Sequence, residues 1–140
     1  MIIASIDFGT TNSVVGVNNS GKIDMLPLGR NTLETKTALF YSFEDKKFYV
    51  GDEAIEELKL ETMGRYFVAL KSFLGSAENI ETTLGKKTYS LSDLISIILR
   101  SFKKRLEDYA RKEIDKVVLG RPVHFNDKDI QLDKKAQKRL

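Results

Sequence analysis

The chain of 140 residues is long enough for one domain with a hydrophobic core, since 41% of its residues are hydrophobic and 31% are charged. It has no cysteine, which excludes a disulfide framework or a thiolate metal site and favours a reducing compartment such as the cytoplasm. No run of about 18 apolar residues occurs, so we expect no membrane-spanning helix and no membrane partner.

The formal net charge of +3 is unevenly distributed along the chain. Residues 1–100 carry 11 basic and 13 acidic side chains, a net charge of −2, and residues 101–140 carry 12 and 7, a net charge of +5. The basic residues of the C-terminal part are interleaved with acidic ones, a pattern typical of a solvated helix face. We therefore expect no nucleic-acid partner.

Short runs rich in Ile and Val predict the first strands. Residues 2–7 and 14–18 are expected to form an antiparallel hairpin, and residues 23–28 to add a third strand, which makes a three-stranded meander. A second pair of strands is predicted at 37–43 and 47–50, around a polar turn.

Helical spacing begins at residues 51–58, where Asp52 is a candidate N-cap. The longest helix is predicted from the capping-box pair Ser90 and Asp93 to about residue 112. Its apolar residues repeat at steps of three and four, and they are Leu91, Ile95, Ile98, Phe102, Leu106 and Tyr109. Such a stripe has to pack against a sheet or another helix.

The C-terminal part predicts a short buried strand at 116–119 and a helix at 131–140, with Asp127 or Asp129 near its start. Because a long helix precedes this strand, a right-handed crossover would return it parallel to the first strands. We therefore expect the α/β class, with a mixed sheet.

The turn after the first strand combines an acid, a glycine and small polar side chains. Asp7 precedes Gly9, Thr10, Thr11 and Asn12, so a carboxylate would lie beside exposed backbone N–H groups and two hydroxyls. Such N–H groups can bind phosphate oxygens, and a nearby carboxylate can organise a hydrated Mg²⁺ ion. The same residues also make an ordinary hairpin turn, and the helix-starting P-loop pattern is absent.

Two charged side chains stand in apolar surroundings. Asp7 ends a mostly apolar strand, and a buried, unpaired acid there would need a cation, water or hydrogen-bond donors. Lys71 interrupts the apolar patch at 67–74, where it could stabilise charge on a transferred phosphoryl group. The alternative for Lys71 is a solvated lysine whose stem covers the patch.

Four stretches stand in this order along the chain: IDFGTTNS at 6–13, VGDEAIE at 50–56, VALKSFLG at 68–75 and VVLGRPVHFND at 117–127. In the same order they resemble segments of the actin-like ATPases, and most closely those of the seventy-kilodalton heat-shock protein (DnaK-like) chaperones. The first is similar to a phosphate-binding motif, the third to the segment of the catalytic lysine, and the fourth to a strand and proline hinge. LKSFLG and LGRPVHF are most similar to the YegD-type branch.

The resemblance implies a fold and a set of cofactors. The fold is a ribonuclease-H-like first lobe of an actin-like ATPase over residues 1–140, with a small subdomain inserted near 35–90. The cofactors are ATP or ADP and Mg²⁺. Asp7 would organise the metal through water, and the phosphate-binding residues would be Gly9, Thr10, Thr11 and Asn12.

The resemblance also implies roles further along the chain. Lys71, together with Asp7, would be catalytic and would reach the terminal phosphate or the attacking water. Pro122 would belong to a hinge that relays the nucleotide state to a peptide-binding domain. The chain departs from the family pattern at 37–39, where Thr-Ala-Leu replaces Thr-Pro-Ser, and at 121–125, where Arg-Pro-Val-His-Phe replaces Val-Pro-Ala-Tyr-Phe.

The family binds its nucleotide between two lobes, and we expect this chain to supply the first lobe without the second or the peptide-binding domain. A second phosphate loop of the Asp-Ile-Gly-Gly-Gly-Thr type does not occur in the 140 residues. We therefore expect weak nucleotide affinity, negligible ATPase activity and self-association through an uncovered lobe face. In a full-length cytoplasmic chaperone the further partners would be unfolded polypeptides and co-chaperones.

Two other functions fit parts of the sequence. The lobe could be a non-catalytic scaffold that binds a partner protein through its long helix or an exposed face. It could also belong to an actin-like small-molecule kinase, which shares the first turn but does not account for LKSFLG at 70–75. Binding of Mg·ATP that depends on Asp7 and Lys71 would separate the chaperone ATPase from the scaffold, and a phosphorylated small molecule would indicate the kinase.

Overall fold

The computed structural model describes residues 1–120, 125, 126 and 128–140, and this part of the chain forms a mixed α/β fold, as predicted. Its strands are β1 (Ile3–Phe8), β2 (Asn12–Asn19), β3 (Lys22–Leu26), β4 (Thr35–Lys36), β5 (Ala38–Ser42), β6 (Lys47–Val50), β7 (Gly64–Val68), β8 (Glu81–Leu84), β9 (Lys87–Ser90) and β10 (Lys116–Gly120). Its helices are α1 (Asp52–Lys59), α2 (Leu91–Ala110) and α3 (Ile130–Arg139), with a short 3-10 helix at Leu70–Phe73. None of these helices is long and apolar enough to cross a membrane.

The main sheet has the strand order β10-β1-β2-β3, and β4 also pairs with β2. The first three strands are antiparallel neighbours, which confirms the predicted meander. β10 pairs with β1 in parallel, with Gly120 opposite Asp7, so the predicted parallel return through a helix is confirmed as well. β1 therefore has a hydrogen-bonded neighbour on each edge.

The long helix α2 packs against the main sheet and supplies much of the core. Ser90 Oγ accepts a hydrogen bond from Asp93 N–H at 3.1 Å, and the Asp93 carboxylate accepts from Ser90 N–H at 2.9 Å, which confirms the capping box. The buried residues of α2 are Leu91, Leu94, Ile95, Ile98, Phe102 and Leu106. The prediction that Tyr109 extends this stripe is wrong: it is 51% exposed, and Ala110, one turn after Leu106, packs against the core instead.

A second sheet with the strand order β6-β5-β7 packs against α1, and β8 and β9 form a separate hairpin. The sequence predicts β5, β6 and α1 but neither β7 nor the hairpin. Most side chains of these three missed strands are exposed or half-buried, so their apolar pattern is weak. The limits of an inserted subdomain at 35–90 stay a prediction.

The strand β10 forms where a strand was predicted, but it is not buried. Lys116, Val117 and Val118 are exposed, and only Leu119 is half-buried against the core. Among the described strands, β10 pairs with β1 alone. The exposure of β10, where a buried strand was predicted, follows from its position at the edge of the sheet. A local sequence pattern does not indicate that position.

The helix caps confirm one prediction and correct another. The N-cap of α1 is Gly51 rather than Asp52, and no side chain caps this helix. The Asp52 carboxylate instead accepts hydrogen bonds from Thr35 Oγ1 at 3.1 Å and from Lys36 N–H at 3.2 Å, which joins α1 to β4. α3 begins after Asp129, whose carboxylate accepts from the N–H groups of its second and third residues.

We expect Ser90→Ala to lower the free energy of unfolding by about 1 kcal/mol, because it removes the N-cap acceptor of α2 and leaves the buried stripe intact. Urea unfolding at neutral pH measures this change. Ser101→Ala, inside the same helix, is the control and should change stability by less than about 0.5 kcal/mol. Equal losses in the two variants would contradict the capping role.

Candidate functional site

The turn that joins β1 to β2 depends on a close backbone approach at Gly9. A Cβ atom at this position would overlap the backbone carbonyl oxygen of Asn12. The backbone of Gly9 does not lie in the left-handed region, so contact rather than φ requires a glycine here. Thr10 and Thr11 follow at the tip, where both are exposed.

The base of the turn is held by Thr37, from the stretch that connects β4 to β5. Its N–H donates to the carbonyl oxygen of Thr11 at 2.8 Å, and its hydroxyl lies 2.6 Å from that of Ser13. Ser13 and Thr37 are both buried, so their hydrogen bond is shielded from water. The backbone of the turn is thereby fixed while the side chains of Thr10 and Thr11 stay accessible.

Asp7 lies on the outer face of β1. Ile6 and Phe8 are buried in the core, and the alternation of side chains directs Asp7 to the opposite face, where it is exposed. This corrects the expectation that burial would penalise the acid. A Cβ atom on Gly120 would lie 3.6 Å from Asp7 Oδ1, so the carboxylate stands next to a residue without a side chain.

Lys71 reaches the same turn from the 3-10 helix. Ala69, in the left-handed conformation with φ 54°, precedes this helix just after β7. Lys71 Nζ donates a hydrogen bond to the carbonyl oxygen of Phe8 at 2.5 Å and lies 5.9 Å from the centre of the Phe8 ring. The lysine is half-buried, and its ammonium group is bonded to the backbone rather than only solvated.

The charge of Lys71 is influenced by burial and by Asp7. Burial lowers the pKa of Lys71, and the Asp7 carboxylate acts in the opposite direction. Asp7 and Phe8 are neighbours in β1, so the contact with the Phe8 carbonyl brings the ammonium group near both the acid and the turn. The fold thus brings Lys71 close enough to Asp7 for the carboxylate to influence its pKa.

A cavity of about 380 Å³ opens beside the turn, and its lining includes Thr10, Thr11, Lys36 and Tyr66. Asn12 belongs instead to a neighbouring hollow of about 410 Å³, which shares Lys36. Burial raises the pKa of Tyr66 above that of an ordinary phenol. Lys36 and Tyr66 were not singled out from the sequence, because they lie in the short strands β4 and β7.

The oxygen groups near the turn fit a magnesium ion that is bound mainly through water and phosphate oxygens. Asp7 offers one exposed carboxylate, and Gly120 leaves space beside it. In the described residues no group of three or more His, Cys, Asp or Glu side chains is placed to hold a metal ion. A dedicated protein cage, which Mg²⁺ does not need, is therefore not formed there. Pro122, the predicted hinge residue, lies outside the described residues.

In a comparison with models of protein families, the model described as Hsp70 protein matches residues 3–139. The matched range begins in β1 and ends in α3. It therefore contains the turn, Lys71 and the parallel strand β10.

We expect Gly9→Ala to lower the free energy of unfolding by at least about 2 kcal/mol, because the added methyl group meets a backbone oxygen that cannot move without shifting β2. Gly120→Ala is the matched control, since its Cβ would make only ordinary van der Waals contacts. We expect that variant to stay within about 1 kcal/mol of the native chain. Similar unfolding free energies for the two variants would refute the argument.

We expect the pKa of Lys71 to lie below that of a free lysine side chain, because burial disfavours its charged form. Asp7→Asn should lower the pKa of Lys71 further, since a favourable negative charge is lost. A pH titration of the Lys71 Cε resonance in carbon-13-labelled protein measures both effects. Asp24→Asn, on β3, is the control and should leave this titration unchanged.

Proposed function

The chain belongs to the Hsp70 family of chaperone ATPases, and on this basis we propose that the β1–β2 turn and Lys71 form a phosphate-binding wall of the ATP site. The observation that carries the proposal is the hydrogen bond from Lys71 Nζ to the carbonyl oxygen of Phe8. It brings a cation to the end of β1, next to the turn that carries Thr10 and Thr11.

The turn would supply the hydrogen-bond donors for the phosphates. Gly9 allows the tight backbone path, and the N–H and hydroxyl groups of the two exposed residues Thr10 and Thr11 would suit anionic oxygens. The buried contact of Thr37 with the turn keeps these donors in place before a ligand binds, which reduces the ordering cost. Asn12 would add an amide donor on the side of the neighbouring hollow.

Asp7 would hold Mg²⁺ through water. When bound, the ion supplies positive charge that neutralises the phosphate oxygens. The support from this chain is the exposure of the carboxylate, because an acid that is already open to solvent can order metal-bound water without a desolvation cost. The space beside Gly120 supports the same role.

Lys71 would be the catalytic cation. Charge accumulates on the oxygens of a phosphoryl group during its transfer, and a fixed ammonium group stabilises that charge. The hydrogen bond to Phe8 uses one of the three ammonium donors and leaves two for the ligand or the attacking water. The proximity of Asp7 favours the charged form that this role needs.

The family assignment carries wider proposals for a full-length protein that contains this lobe. Hsp70 proteins are chaperones that bind nucleotide and act with polypeptide substrates or co-chaperones. We propose that ATP hydrolysis is coupled to binding of unfolded polypeptide, with Pro122 in the hinge that relays the nucleotide state. The stretches LKSFLG at 70–75 and LGRPVHF at 119–125 support placement in the YegD-type branch.

The 140-residue chain by itself would bind nucleotide weakly and hydrolyse ATP negligibly. Its sequence contains a single turn of the phosphate-binding type, and stabilisation of a transition state needs groups on every side of the phosphoryl group. Val117 and Val118 are exposed on β10, and an apolar groove lies between this strand and α2. Val117 lines this groove and Val118 lies on the opposite face of β10, and these apolar surfaces support self-association of the chain at high concentration.

Calorimetric titration with Mg·ADP and Mg·ATP tests the proposed site. We expect binding that weakens about tenfold or more in Asp7→Asn and in Lys71→Ala, because each variant removes a charge that would face the metal or the phosphates. Lys104→Ala and Asp108→Asn are matched controls on the exposed face of α2. We expect their affinities to equal that of the native chain.

The other outcomes of this experiment point to different functions. Absence of binding to the native chain would favour a non-catalytic scaffold that acts through a partner protein. A phosphorylated small-molecule product would favour an actin-like kinase. Steady ATP turnover by the chain alone would contradict the proposal that its catalytic groups are incomplete.

A further inference from the structure

The segment that carries Lys71 is held at its far end by side chains from the C-terminal part of the chain. Three consecutive carbonyl groups, at 74–76, follow the 3-10 helix and all accept side-chain hydrogen bonds. Arg139 Nη1 donates to the first and third of them at 3.2 and 3.1 Å, and Asn126 Nδ2 donates to the second at 3.1 Å. Carbonyl groups at the end of a helical turn lack partners within the turn, so these bonds satisfy them.

The backbone of the same segment is in close contact with the stretch that follows β10. A Cβ atom on Gly75 would lie only 2.6 Å from the carbonyl oxygen of Phe125. A side chain at Gly75 would therefore force the two stretches apart. This contact explains why a glycine ends the motif that contains Lys71.

Asp133 fixes the stretch from which Asn126 reaches Gly75. The Asp133 side chain is buried, and its Oδ1 accepts hydrogen bonds from the N–H groups of Phe125 at 2.6 Å and Asn126 at 3.4 Å. Its Oδ2 accepts from Gln137 Nε2 at 2.8 Å. A carboxylate on α3 thus sets the backbone position of Asn126.

The amide of Asn126 and the end of α3 are fixed in turn. Asn126 Oδ1 accepts from the N–H groups of Lys128 and Asp129, both at 3.0 Å, which directs its Nδ2 toward Gly75. The carbonyl oxygen of Arg139 accepts from Ser92 Oγ at 3.2 Å, so the end of α3 is tied to the first turn of α2. Asn126 and Arg139, which donate to the segment after Lys71, are therefore both fixed by further hydrogen bonds.

We propose that Asn126, Asp133 and Arg139 form a clamp that positions Lys71. This inference rests on the proposed role of Lys71 in the phosphate-binding wall. Only one helical turn separates Lys71 from the clamped carbonyl groups, so a shift of the clamp moves the ammonium group relative to the Phe8 carbonyl. The clamp residues come after β10 in the sequence, and β10 pairs with the strand that carries Asp7.

Two substitutions weaken the clamp, because each removes a hydrogen-bond donor to the carbonyl groups at 74–76. Arg139→Gln removes the guanidinium donors to the carbonyl groups at 74–76. Asn126→Asp keeps the oxygen that accepts from the following N–H groups but replaces the donor to Gly75 with a second oxygen. Lys138→Gln is the control, because this exposed neighbour on α3 undergoes the same loss of charge.

The first readout is the Cε chemical shift of Lys71 in carbon-13-labelled chain without nucleotide, at constant pH. Both clamp variants should move this resonance toward its position in a free lysine side chain, and Lys138→Gln should leave it in place. Circular dichroism confirms that each variant is folded, and Asn126→Asp decides the matter if Arg139→Gln does not fold. An unchanged Lys71 resonance in a folded clamp variant overturns the proposal.

The second readout is a double-mutant cycle on Mg·ADP binding by the same chain. Arg139→Gln should weaken binding about fivefold when Lys71 is present and by less than about twofold in the Lys71→Ala background, because the clamp acts through the lysine. Equal effects in both backgrounds mean a merely structural role and overturn the proposal. If the native chain does not bind Mg·ADP, the proposed function fails, and the Lys71 resonance still decides whether the clamp exists.

Discussion

The parallel and antiparallel pairing of β1 is the constraint on which the site depends. With a hydrogen-bonded neighbour on each edge, this strand cannot slip by one residue without exchanging its buried and exposed faces. Ile6 and Phe8 belong to the core, so Asp7 has to face outward. The same register leaves the Phe8 carbonyl at the end of the strand, where it accepts the hydrogen bond from Lys71.

The other parts of the site are held by contacts from outside their own segments. The β1–β2 turn depends on Gly9 for its close backbone path and on Thr37 for its hydrogen bonds, and the 3-10 helix is held by Asn126 and Arg139. Each set of hydrogen bonds satisfies buried or terminal polar groups of the backbone, which stabilises the fold and orients the exposed donors at once. The partial burial of Lys71 lowers its pKa, and the Asp7 carboxylate opposes this effect only in part. The ammonium group also donates a hydrogen bond to the Phe8 carbonyl.

Much of the fold could be predicted because its signals are local. The meander and the capping box at Ser90 and Asp93 each follow from a short window of hydrophobic spacing or turn residues. The parallel return of β10 follows from the general handedness of a crossover through a helix. β7 and the β8–β9 hairpin were missed because few of their side chains are buried. Asp52 was misassigned because its hydrogen-bond partners lie in β4, far from the helix it begins.

The sequence by itself determined the family and the candidate residues at the turn and at Lys71, because these are carried by short motifs whose chemistry is local. Only the tertiary structure decided that Asp7 is exposed, that Lys71 donates to Phe8, and that the residues after it are held by Arg139. Those contacts join segments that are distant along the chain. Their geometry depends on how the sheet and α3 pack, and no window of sequence contains both partners.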